Sequence, residues 1–182
     1  MFNKMNKNKM KFPRRNKIAK NCDFYTSDAM GLKPSGYWYS FGREWYDFWY
    51  VDGENKIGNN VVCEIKIKRN MFTTLEKKEK GKILVIDSFE EVQKLKKKYS
   101  YLMKFGDKTK TRRLINFEKL SEIYGGIEFR NFNKINKQID QDKKHNRYQD
   151  YLWYKIIDVS SGCVWNSSLV ETTNKGKLKD FI

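Results

Sequence analysis

Residues 61–68 alternate without a break. Val61, Cys63, Ile65 and Ile67 fall on one side and Val62, Glu64, Lys66 and Lys68 on the other, which predicts a half-buried strand. Residues 83–86, Ile-Leu-Val-Ile, are apolar throughout and predict a central strand. Asp87 and Ser88 stop that run. Ser88 is placed to cap a helix over 89–101, with Glu91 as the return partner of a capping box and Val92, Leu95 and Tyr99 at helical spacing. Lysines at 94, 96, 97 and 98 fall late in that helix and suit its dipole. Asn116 is placed to cap a second helix over 117–124, closed by Gly125 and Gly126. Residues 126–130, Gly-Ile-Glu-Phe-Arg, predict another strand.

The densest pattern lies between Tyr37 and Tyr50, where nine of fourteen residues are aromatic against 15% in the whole chain. Pro34 and Gly36 punctuate a turn before it. Residues 37–41 predict a strand, because aromatic side chains suit a pleated, half-buried surface. Gly42 breaks it. Residues 43–50 predict a short helix with Trp45, Phe48 and Trp49 on one face. Such rings can pave a pocket for a flat ligand or fill a core.

Other stretches are weaker. Residues 21–27 predict a first strand, and 151–159 another, with 163–166 continuing the sheet. Residues 105–113 read as a basic loop and 131–149 as a polar insertion, either an exposed loop or a lysine-rich helix. His145 falls in that insertion and reads as a solvated loop histidine. Strands outnumber helices, and the helices are short. The expectation is an α+β domain with a mixed, mainly antiparallel sheet. Residues 1–20 read as a flexible basic arm, 21–172 as one domain and 173–182 as a polar tail.

Charge adds to this picture. The chain of 182 residues carries a formal charge of +16, mostly from lysine. A nucleic-acid partner reached through the basic arm is one reading, and a lysine- and asparagine-rich coding bias is another. No apolar run approaches the ~20 residues of a spanning helix, so no membrane partner and an intracellular setting are expected. Cys22, Cys63 and Cys163 are widely spaced and form no CxxC pair, which predicts neither a disulfide framework nor a metal site. Each reads as a small buried hydrophobe. Glycine-rich phosphate loops, HExxH and GxSxG are absent.

Three segments in order carry a resemblance: Phe24-Tyr25-Thr26-Ser27, Gly36-Tyr37-Trp38-Tyr39-Ser40 and Gly126-Ile127-Glu128. Together they resemble the NAD-binding core of the ADP-ribosyltransferase fold, in its poly(ADP-ribose) polymerase branch. The resemblance implies NAD as the bound cofactor or substrate. Trp38, Ser40, Arg43 and Trp49 then border it, with Trp38 and Trp49 as the two stacking rings and Arg43 on the pyrophosphate. Glu128 becomes the acid that orients a ribose hydroxyl and stabilises oxocarbenium charge. Tyr25 stands where that fold carries a catalytic histidine, and no Glu-x-Glu pair accompanies Glu128. The KPSGYWYS stretch and the later DVSSGCVW stretch are similar to proteins of phages and large DNA viruses. Read from the residues alone, Glu128 faces away from Ile127 and Phe129 and is expected to be an exposed, salt-bridged carboxylate. A non-enzymatic basic nucleic-acid-binding protein and a protein-interaction module are the other expectations.

Overall fold

A computed structural model of the chain describes residues 17–19, 22–26, 32–51, 61–105, 110–142 and 150–177. Within these, the strands are β1 (Lys17–Ala19), β2 (Tyr37–Phe41), β3 (Val61–Ile67), β4 (Phe72–Thr73), β5 (Ile83–Ile86), β6 (Ser100–Phe105), β7 (Lys110–Ile115), β8 (Gly126–Phe129), β9 (Ser161–Val164) and β10 (Val170–Lys177). The helices are α1 (Glu44–Val51), α2 (Phe89–Tyr99), α3 (Phe117–Ser121), α4 (Phe132–Gln141) and α5 (Leu152–Lys155). Eight strands form one sheet in the order β10-β3-β1-β2-β9-β8-β5-β4, and β6 and β7 form a separate hairpin. Among the described residues only the β4–β5 and β5–β8 pairs are parallel. The chain is therefore an α+β domain with a mixed, mainly antiparallel sheet and a few short helices.

The sheet curls strongly. Five strand spacings separate β1 from β4, which on a flat sheet is about 24 Å. Yet the Lys17 ammonium on β1 lies 5.1 Å from the centre of the Phe72 ring on β4. The two side chains meet across a concave face.

Each face has its own core. On the convex face Leu84, Ile86, Ile127 and Phe129 pack under Val92 and Leu95 of α2, Leu120 of α3, and Ile135 and Ile139 of α4. Rings knit this layer together: Phe132 stacks on Tyr154 at 5.2 Å, and Phe129 lies 6.4 Å from Trp153. On the concave face Tyr39, Cys63, Ile65, Ile83 and Val164 are buried, with Phe41 and Phe72 packed against them. The alternation in residues 83–86 thus serves both layers, which explains why that strand is apolar throughout.

The strongest local patterns form the elements they predict. Ser88 caps α2, its hydroxyl accepting from the Glu91 N–H at 3.3 Å, and the Glu91 carboxylate reaches back one residue further, to the Asp87 N–H. The Asn116 side chain accepts from the Lys119 N–H at 2.8 Å and starts α3.

Other expectations are corrected. Lys17–Ala19, assigned to the arm, is an inner strand between β2 and β3 with Ile18 fully buried. The rest of the arm, residues 1–16, lies outside the described residues. Strand β10 runs through Lys177 against β3, so the expected tail is ladder as far as that residue. In 21–27 the ladder is, among the described residues, a single bridge, Tyr25 to Gly36. Of residues 105–113, those the structure describes, 105 and 110–113, are hairpin strand rather than loop. The polar insertion begins with α4, whose apolar stripe of Phe132, Ile135 and Ile139 is buried rather than exposed. His145 lies outside the described residues. Residues 152–155 are helical, because Trp153 and Tyr154 find their burial on the helical layer, where strand propensity counts for less than packing. Cys22 and Cys63 are joined in a disulfide with Cα atoms 5.4 Å apart, against the expectation of three free thiols. Cys163 is free and buried.

Candidate functional site

The strands β2, β9 and β8 bring one row of residues together. Tyr39 pairs with Gly162, and Gly162 pairs with Glu128. Paired residues in a ladder point to the same face, so Tyr39 and Glu128 share the concave side. Between them Gly162 presents no side chain. A Cβ there would run into the Tyr39 ring, so only glycine lets the phenol cross β9 and reach β8.

Glu128 is fully buried. Its carboxylate accepts from the Tyr39 hydroxyl and from the Lys17 ammonium. The Arg130 Nε donates to its other oxygen at 2.6 Å. Lys17 also lies 3.4 Å from the Tyr39 oxygen. Its ammonium is ringed by aromatic faces, 4.6 Å from Tyr39, 4.5 Å from Phe41 and 5.1 Å from Phe72. The Arg130 guanidinium stands over Phe72 at 5.5 Å. With Glu128 ionised, the cluster carries one acid against two cations.

Burial pulls the Lys17 ammonium below its ordinary pKa, and the attraction of Glu128 opposes that pull. Arg130 adds a smaller repulsion. Burial pushes the Tyr39 phenol well up, and the negative charge of Glu128 adds to it. Tyr39 is therefore a neutral donor to a carboxylate across the neutral pH range. A carboxylate removed from water is retained only with such partners, because desolvation of an unpaired charge costs several kcal/mol. Lys17 and Glu128 are inward, with side chains 17% and 0% exposed, while Arg130 at 42% stands at the mouth.

The residues singled out from sequence do not all meet. Glu128 is at the centre of the cluster, and it is buried rather than exposed. Trp38 pairs with Cys163, which pairs with Ile127, and Ile127 belongs to the helix-covered core. Trp38 and Glu128 are thus on opposite faces of the sheet, and the expected shared cleft between them is not formed. The Trp38 indole donates to the Pro34 carbonyl at 2.9 Å and lies 6.5 Å from the Trp45 ring. Ser40 is two residues on, on the same side as Trp38, fully buried opposite Ser161. Tyr25 bridges Gly36, which again places it on the Trp38 side. Arg43 is held by Asp47 at 3.1 Å on the exposed start of α1. The Trp49 side chain lies outside the described residues. Among the described residues no group of three or more His, Cys, Asp or Glu side chains is placed to hold a metal ion.

Tyr39, Lys17, Arg130 and Phe72 were not singled out from sequence. Strict alternation carries the first signal, since it sets Tyr39 against Trp38 and aligns Glu128 with Arg130. Nothing in the basic segment distinguishes Lys17 from its neighbours. No protein-family model matches the chain, and no similarity to curated proteins or to solved structures is found.

Proposed function

We propose that the protein is an ADP-ribosyltransferase-like domain that binds NAD or a related nucleotide on the concave face, with Glu128 as its acid. The observation that carries this reading is the buried carboxylate of Glu128, held by Tyr39, Lys17 and Arg130 and walled by aromatic rings. Three features support it. The carboxylate has the polarity to steady positive charge developing at a ribose carbon. The Phe41 and Phe72 faces already hold a cation in Lys17, and a positively charged pyridinium ring suits the same faces. Arg130, half-exposed at the mouth, has the fork geometry that grips a pyrophosphate.

This reading moves the ring role from Trp38 and Trp49 to the aromatic residues on the acid's own face. It also gives Lys17 a gating part. Its ammonium fills the place between the rings and the carboxylate, so a ligand must displace it.

The test is calorimetric titration of NAD into the wild type and into Lys17→Met, with nicotinamide release followed in parallel. Lys17→Met is expected to bind NAD more tightly than the wild type, and Arg130→Ala more weakly. Absence of both heat and nicotinamide release in the wild type and in Lys17→Met overturns the proposal.

A further inference from the structure

Among the described residues four large hydrophobic side chains are exposed, and they fall in two adjacent pairs: Phe24 at 45% with Tyr25 at 41%, and Tyr101 at 42% with Leu102 at 58%. Single exposed apolar residues are ordinary, but one ring from each pair borders a common hollow, and that marks a binding surface. Phe24 and Tyr101 line the same cleft of about 550 Å3, with Trp165, Phe117 and Pro34 as further apolar walls. That volume is within the range of small-ligand sites. The cleft is not the Glu128 cluster. It shares no lining residue with it.

The walls are held in place from outside the cleft. Phe24 packs edge-on to Tyr37 at 5.4 Å, and the chain on either side of it is tied by the Cys22–Cys63 disulfide and the Tyr25–Gly36 bridge. The Trp165 indole donates to the Tyr124 carbonyl at 2.6 Å. Tyr101 sits on β6, paired with Leu114. Lys33 supplies a cation to the lining, and Glu118 an acid.

The surroundings are strongly basic. Residues 100–115, which include both hairpin strands, carry five lysines and arginines against one aspartate. Helix α2, which leads into the hairpin, ends with Lys96, Lys97 and Lys98 in its last turn. Aromatic platforms beside a basic track are the arrangement that binds single strands, with bases on the rings and phosphates on the cations.

We propose that this cleft takes an unpaired base of single-stranded nucleic acid, with Phe24 and Tyr101 as stacking surfaces and the neighbouring phosphates along the β6–β7 hairpin. The experiment is fluorescence anisotropy of a labelled oligothymidylate with the full chain at two salt concentrations. Binding is expected at low salt and weakens as salt rises. Tyr101→Ala and Phe24→Ala each weaken binding by roughly five-fold or more, as loss of a stacked base does, and leave the salt slope unchanged. Arg112→Ala, on the face that Tyr101 shares through the Met103 pair, lowers that slope by about 0.7 for the one phosphate no longer neutralised. All three residues lie outside the buried cores, so thermal melts of the variants check that each is folded. Excess NAD leaves the complex intact, because the two sites are separate. The proposal is overturned by no binding at low salt, by aromatic variants that bind as the wild type does, by equal affinity for duplex of the same length, or by displacement with NAD.

Discussion

Replacing Glu128 by glutamine tests whether the concave cluster is an ion pair or a polar contact. The substitution keeps the shape of the side chain and removes its charge. Two cations then face each other with no anion between them, and Lys17 is the one that cannot easily reach water. Removing one partner of a buried pair costs about 3–5 kcal/mol. Arg130 is 42% exposed and can turn outward, so the lower end, about 3 kcal/mol, is expected. For a domain of this size that is a fall in Tm of roughly 6–12 °C. The pH dependence sharpens the test. In the folded wild type the Lys17 pKa lies below its ordinary value of 10.5. Between the lowered value and 10.5 the unfolded chain binds the extra proton, so stability rises with pH in that window. Without Glu128 the value falls further and the penalty grows. The deficit of Glu128→Gln is therefore largest at low pH and shrinks towards pH 10. Tyr39 works in the other direction. Its raised phenol holds its proton while the unfolded chain ionises, so stability is lost above about pH 10. Thermal melts of wild type, Glu128→Gln, Lys17→Met and the double variant between pH 6 and 9.5 (the range below tyrosine ionisation) measure the pair. The double variant is expected to recover much of the loss. A Glu128→Gln melt that matches wild type at every pH refutes the reasoning.

Two further predictions concern the frame of the site. Gly162→Ala sets a methyl against the Tyr39 ring, so overpacking is expected to cost about 1–3 kcal/mol. Tyr39→Ala in the same chain removes the clash, and denaturant titration shows whether the two effects fail to add. Reducing the Cys22–Cys63 disulfide opens a loop of 41 residues, which by chain entropy costs about 4 kcal/mol. Melts with and without a phosphine reductant check this, and a Tm that does not change on reduction contradicts it.

Much of the fold was legible because its signals are local. Alternation over 61–67, the apolar run at 83–86 and the Ser88 and Asn116 caps depend only on near neighbours, and each formed its strand or helix. But Val62 and Glu64, expected on an open side, are buried, and α2 and α3 stop at Tyr99 and Ser121, short of 101 and 124. The face assignment of Glu128, away from Ile127 and Phe129, was also readable, since a strand's period of two is geometric. What that face looks onto was not. Exposure of Glu128 depends on how far the sheet curls, and that curl brings Phe72 of β4 against Lys17 of β1 from fifty-five residues away. The separation of Trp38 from Glu128 likewise required knowing that β2, β9 and β8 are neighbours, because register across three strands assigns their sides. Lys17–Ala19 and the Val170–Lys177 ladder carry too little apolar pattern to announce themselves; they are strands because β3 offers both edges for pairing. Local patterning was enough to say which short segments prefer strand or helix, and which side chains alternate. Which of those sides is concave depended on long-range strand pairing, and burial on that side turns an ordinary glutamate into a clamped carboxylate shielded from water.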